Sequence, residues 1–249
     1  VTGTLSGQGG DFGTVSVIPL AGYVAGEGDA FSVITAVGGG DTGTFSTLVQ
    51  PESYGFAPVY NPMAVVLSLE ELYNIWTLGA DGLWSVGSNW SLGRVPDRGE
   101  NALIRDGAST VSLADGQYQI GEMALFAGNR LVIGGGELSI GDDSQLDGAL
   151  RLAGGRLTGA GLLTVLGAGE WEAGTQDGAG VTTYSGGLTL STGAEKVLGG
   201  TRRVVNAGVA DWSAGDMVLS DGSRFANQGT LNATAGDYQI VGTGVLANS

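Results

Sequence analysis

The sequence predicts an all-β chain. Its C-terminal two-thirds reads as a right-handed parallel β-solenoid of about 20 residues per coil, and a separate N-terminal β-sandwich-like or cap region precedes it. Three observations carry this. The 249 residues hold 48 glycines but only 5 prolines and 14% charged residues, a composition of many short strands and tight turns rather than of a disordered chain. Apolar residues recur in pairs one residue apart between glycine turns, as in Leu131 with Ile133, Leu138 with Ile140 and Leu188 with Leu190. That spacing puts both side chains on one face of a strand. Finally, the sequence repeats itself at intervals near 20 residues.

The repeat is visible in two pairs of segments. LVIGGGEL from Leu131 and LRLAGGRL from Leu150 share Leu, Gly-Gly and Leu at an offset of 19. NAGVADWSAGDMVL from Asn206 and NQGTLNATAGDYQI from Asn227 share Asn, Gly and Ala-Gly-Asp at an offset of 21, which aligns Leu219 with Ile240. Trp171 and Trp212 both open the pattern W-x-A-G, 41 residues apart, or about two coils. Two-helix repeats and propeller blades need longer units, whereas a coil of this length holds two or three strands. Stacked coils would place Leu131 on Leu150, Leu138 on Leu157, Asn206 on Asn227 and Glu137 beside Arg156. They would also place Asp216 over Asp237, a like-charge pair that should face solvent.

Along the chain, residues 1–70 lack the repeat and form a β-rich end or cap, with strand-like runs at 14–20, 31–36, 44–49 and 64–69. Residues 71–106 form a Trp-rich junction and solenoid start, and residues 107–249 the solenoid coils. The one helical candidate is LSLEELYNIW at 67–76, which lacks a clear cap. No apolar run is long enough for a membrane helix, so membrane insertion is not expected. No signal peptide is visible and neither end looks like a natural terminus, so the chain reads as a fragment of something longer.

Three segments resemble the tandem modules of giant bacterial β-helical surface proteins, the autotransporter-passenger-like and large adhesin family. GYVAGEGDAFSVITAVGGGDTGTFSTL followed by YNPMAVVLSL is similar to the ending of such a module. WTLGADGLWSVGSNWSLGRVPDRGENALI is similar to an opening. The third is the coil series containing GEWEAG, RRVVNAGVADWSAGD and FANQGTLNA. The resemblance covers most of the chain and implies that it spans a junction between consecutive modules near Ser68–Tyr73. It also implies a secreted or cell-surface location and a structural rather than enzymatic role. Neighbouring modules or identical subunits are the implied partners.

The chemistry-bearing residues point the same way. The chain has neither cysteine nor histidine, which removes disulfides, Cys/His zinc sites and the commonest general base. A net charge of −15 repels phosphate, so nucleic acid is not an expected partner. Lys196 is the sole lysine. GGGDTG from Gly38 satisfies G-x-G-x-x-G, but strand-like sequence follows it where a dinucleotide site needs a helix. Asp142, Asp143 and Asp147, and the pair Glu170 and Glu172 around Trp171, are the candidates for acid–base chemistry or an irregular calcium site, with solvated turns and strand faces as the alternative. Trp76, Trp84 and Trp90 read as buried junction packing, with a sugar-stacking platform as the alternative. Asn206 and Asn227 suggest a stacked turn ladder. Asn89 and Asn232 sit in formal glycosylation sequons. Thr182 and Thr183 are adjacent rather than stacked at coil spacing, so no threonine array for ice binding is expected. No catalytic, cofactor-binding or metal-binding residue is assigned, and calcium is the one cofactor left open. The expected role is a non-catalytic structural module of an adhesin or extracellular filament that self-assembles by strand stacking. A polysaccharide-active β-helix enzyme or a glycan-binding module is the alternative, with a glycan or host surface as a further partner.

Overall fold

The computed structural model describes residues 11–20, 23, 29–35, 43–61, 64–220, 222–234 and 236–248. It divides into two compact units, 1–73 and 74–249. Among the described residues there is no α-helix; a single 3-10 turn spans Gly87–Asn89.

In the first unit β1 (Asp11–Ser16) pairs in parallel with β3 (Thr44–Val49), and β2 (Ala30–Thr35) and β4 (Tyr54–Asn61) flank β5 (Ala64–Ile75) antiparallel. The helical candidate at 67–76 is therefore strand. Val65, Leu67 and Leu69 alternate inward with period 2, and a bulge at the Glu70–Glu71 pair then inserts one residue before Leu72. That extra residue turns a spacing of two into three, which mimics helical spacing. β4 carries Pro58 and went unnoticed in the sequence; among the described residues it pairs only with β5, as an edge strand where a proline is tolerated.

The second unit is a β-solenoid of about seven turns, each about 21 residues long. The first coil is β7 (Asn101–Ile104), β8 (Thr110–Leu113) and β9 (Gln117–Ile120). The second is β10 (Met123–Leu125), β11 (Arg130–Ile133) and β12 (Glu137–Ile140). In the third, β13 (Ser144–Leu146) is followed by β14 (Ala149–Thr158), which runs through the second corner. In the fourth, β15 (Leu162–Val165) and β16 (Gly169–Gln176) do the same. The fifth holds β17 (Val181–Tyr184), β18 (Leu188–Leu190) and β19 (Lys196–Leu198). The sixth holds β20 (Arg203–Asn206), β21 (Val209–Trp212) and β22 (Met217–Leu219). The seventh holds β23 (Arg224–Asn227), β24 (Thr230–Ala233) and β25 (Ile240–Gly242), and β26 (Val245–Asn248) begins another turn.

Every inter-coil pairing in this unit is parallel, so like positions stack into columns. Leu131 lies on Leu150 and Leu138 on Leu157. Trp171 and Trp212 share an inward column with Leu190 between them. The burial pattern alternates iBiB along β8, β11 and β12, the signature of one dry face per strand. The inward apolar residues form a single core running from Trp76 to Phe225. Neighbouring coils trade volume: Gly169 leaves the space that the buried Tyr184 ring fills, since a Cβ there would lie 2.4 Å from that ring. The first corner explains much of the glycine content. A Cβ on Gly167 or Gly229 would sit 2.1 or 2.0 Å from the carbonyl oxygen of Gly148 or Gly208 in the coil before. Only glycine lets the backbones approach so closely.

The expected alignment of Leu219 with Ile240, and of Asp216 with Asp237, does not occur. Met217 pairs with Ile240, and Leu219 with Gly242. The turn before β25 holds two extra residues. A slip of two keeps each side chain on its own face, so the core tolerates it. Asp216 accepts a hydrogen bond from the Gln239 amide at 2.9 Å instead of facing Asp237.

Candidate functional site

At the N-terminal end of the solenoid, residues 74–100 fold over the first coil. The Trp76 amide donates to the Leu103 carbonyl and the Trp84 amide to that of Ser112, while β6 (Gly82–Leu83) pairs with β8. Trp90 sits edge-on to both Trp76 and Trp84, at 5.2 and 4.7 Å between ring centroids. All three indoles are at most 2% exposed, which removes the sugar-platform reading of these residues. Trp171 and Trp212 are buried as well. The cap is fastened by Glu100, itself buried. Its carboxylate takes hydrogen bonds from Asn74 Nδ2 and the Asp97 amide and forms an ion pair with Arg94.

At the other end the strand edges of β24, β25 and β26 have no partner beyond them among the described residues. Val245 and Leu246 are 49% and 45% exposed, although Leu246 continues the inward column of the fully buried Phe225. An amide ladder climbs to this end. Asn206 Nδ2 donates to Asn227 Oδ1 at 2.7 Å, and Asn227 Nδ2 to Asn248 Oδ1 at 2.6 Å. Asn248 was not singled out in the sequence, though it lies one 21-residue period beyond Asn227.

The acidic candidates do not converge. Asp142, Asp143 and Asp147 are exposed; Asp143 accepts the Leu162 amide, and Asp147 accepts Gln145 Nε2. No group of three or more potential metal ligands forms among the described residues. Glu170 and Glu172 lie on the outer face of β16 and are held by arginines of earlier coils: Arg130 with Glu170 at 2.8 Å, and Arg151 with Glu172 at 2.8 Å. A second outer ladder runs from Glu137 to Arg156 to Asp177. The bidentate hold of Asp177 raises the Arg156 pKa, and Glu172 does the same for Arg151.

Two cations lie inside, where neither was expected. Arg202 is 1% exposed; its Nε and Nη2 donate to Thr182 Oγ1 and its Nη1 to the Asp177 carbonyl. Burial lowers its pKa, yet a guanidinium remains charged. Lys196 is fully buried and donates to three backbone carbonyls. Beside Arg202, Gln176 Nε2 donates to the Tyr184 hydroxyl, and desolvation pushes that phenol up to about 12. Thr182 and Thr183 fall on opposite faces. Thr183 does stack at coil spacing, on Thr164, but the outward column continues into Gln145 and Val205 rather than into threonine. Asn89 is buried with its amide on the Leu83 carbonyl, so its sequon is closed in the folded chain; Asn232 is exposed. The GGGDTG motif falls mostly outside the described residues.

No protein-family model, no curated protein and no solved structure matches the chain.

Proposed function

We propose that the chain is a non-catalytic structural module of a secreted or cell-surface protein, in which the solenoid is a stiff spacer lengthened by strand stacking. The observation that carries this reading is the continuous parallel register from β7 to β26, closed at its N-terminal end by tryptophans and threaded toward β26 by an amide ladder. Each coil of such a stack templates the next. The carboxylates that would serve glycan chemistry are committed to arginines or turn amides. The resemblance of the Trp-rich opening and the coil series to adhesin modules adds to the same reading, as does an acidic, cysteine-free composition. Because residues 74–100 occupy the first coil's face, a further coil, whether of the same chain or of a neighbour, would continue the stack from β24–β26.

The test is sedimentation velocity of the 249-residue chain over a wide concentration range, beside Leu246→Lys. The wild type should associate as concentration rises. The variant, which places a charge on a half-exposed stacking position, should stay monomeric at an unchanged melting temperature. Identical monomer profiles for both would remove strand stacking from the reading. Turnover on a panel of polysaccharides would remove its non-catalytic part.

A further inference from the structure

At the corner between the second and third strands of a coil, each of the last four coils supplies a side-chain donor to the corner's carbonyl oxygens. In the fourth coil the Trp171 indole N–H donates to the Gly174 carbonyl at 3.3 Å. In the sixth, Trp212 donates to the carbonyls of Ala214 and Gly215, at 3.3 and 2.9 Å. In the seventh, where Ala233 stacks on Trp212, the Tyr238 hydroxyl meets the Thr234 carbonyl. Unsatisfied carbonyls in such a place would cost a large part of a hydrogen bond each.

The fifth coil differs. The residue stacked between Trp171 and Trp212 is Leu190, which has no donor. Lys196 fills the role from the third strand. Its Nζ lies 2.8 Å from the Thr192 carbonyl oxygen and 2.9 Å from those of Ala194 and Ala214. An ammonium has three N–H bonds and each finds one oxygen, a match that a neutral amine, with two donors and a lone pair, cannot make. Burial lowers the Lys196 pKa, and the carboxylates of Glu172 and Asp216 oppose that pull without cancelling it. The local backbone is shaped for it. Thr192 is the one non-glycine residue with positive φ, at 66°, among those described. A Cβ on Gly215, whose φ is 77°, would lie 2.5 Å from Nζ.

We infer that this corner is a small-cation site, specific for primary ammonium, which the chain fills with its own Lys196. The cage is the carbonyls of Thr192, Ala194 and Ala214, and the sole lysine is a tethered ligand.

Chemical rescue tests it. Lys196→Ala empties the cage while leaving the stem's space open, and Lys196→Met removes the charge but keeps the space filled. Urea midpoints are read for both variants and for wild type in methylammonium chloride, tetramethylammonium chloride, potassium chloride and calcium chloride at matched ionic strength. Both variants should unfold at lower urea than wild type. Methylammonium should restore Lys196→Ala alone, raising its folded-to-unfolded ratio roughly tenfold when present at about ten times its dissociation constant. Tetramethylammonium, which has no N–H, should not. A Lys196→Ala midpoint equal to wild type, or equal rescue by tetramethylammonium or calcium, overturns the proposal. Should Lys196→Ala not fold, wild type still decides. NMR of the 15N-labelled lysine should show ammonium protons coupled through hydrogen bonds to the three carbonyl carbons; a freely exchanging ammonium without those couplings overturns it.

Discussion

Tyr184 shows how much of this interior is set by single side chains. It stands in the column that passes from Leu125, Leu146 and Val165 to the asparagines above it, so it is the point where the dry core becomes polar. Gln176 donates to its hydroxyl and Arg202 lies close enough to favour phenolate, but desolvation outweighs both and holds the folded pKa near 12 against an ordinary 10.0. Between these two values the folded chain keeps a proton that the unfolded chain has released. Stability from this group is therefore complete below pH 10 and falls as pH rises toward 12, by up to roughly 2–3 kcal/mol at about 1.4 kcal/mol per unit. Tyr184→Phe should cost about 1 kcal/mol at neutral pH through the lost hydrogen bond, and its urea-derived stability should decline less steeply than wild type's from pH 10 to 12. Parallel profiles for the two proteins would show that the phenol does not control alkaline unfolding. Residues of this kind were hidden in the sequence. A leucine at coil spacing announces a column, as Leu131 and Leu150 did, because apolar identity and inward facing go together. Arg202 and Lys196 gave no such signal, since a cation's usual place is the surface and only the closing of a corner brings carbonyls to it. Asn206 and Asn227 were readable because a buried amide that stacks on another amide satisfies it, which makes identical neighbours favourable.

Among the elements, the Trp segment and the outer ion ladders both add to the backbone pairing that joins the coils, and they differ in worth. Trp84 is fully buried at the end of the core, in contact with Trp90. Truncating it opens a large cavity under the cap, and Trp84→Ala should cost about 3–5 kcal/mol in chemical denaturation. Arg156 bridges Glu137 and Asp177 across three coils, but its side chain is 48% exposed. Arg156→Ala should therefore cost less than about 1 kcal/mol, and less still in high salt. If Arg156→Ala proved the more damaging of the two, burial of the cap would not be what closes the N-terminal end. The Trp-rich stretch was recognisable as buried because aromatic crowding within a short segment rarely serves solvent. The registers of β5 and β25 were not recognisable. A bulge at Glu70–Glu71 and a two-residue insertion before Ile240 each change the count along the chain without changing which faces are apolar. Pattern reading follows faces well and counts poorly wherever a turn or bulge absorbs the difference.

At the scale of the whole solenoid, stability should be graded along the stack. A coil gains its burial and its backbone hydrogen bonds from the neighbour on each side, so loss of one neighbour removes close to half of what holds it. The burial record follows this rule. β11 and β12, with a coil on each side, alternate buried and half-buried, whereas β24, β25 and β26 have no buried residue. The first coil does not suffer in the same way, because residues 74–100 lie over it and keep Ile104, Val111 and Leu113 fully buried. Opening should therefore start at residues 230–248 and proceed inward, coil by coil, while the capped end holds longest with the core. Native-state hydrogen exchange on the dilute monomer should find the weakest protection in β24–β26, intermediate protection in β20–β22, and the strongest from β8 to β16. Leu246→Lys should leave this gradient in place, since the side chain is already half-exposed. Asn227→Ala should steepen it by cutting the amide ladder between the sixth coil and the end. Uniform protection from β8 to β26 would mean that the coils unfold as one cooperative body, and that nearest-neighbour stacking is too strong for stability to be graded coil by coil.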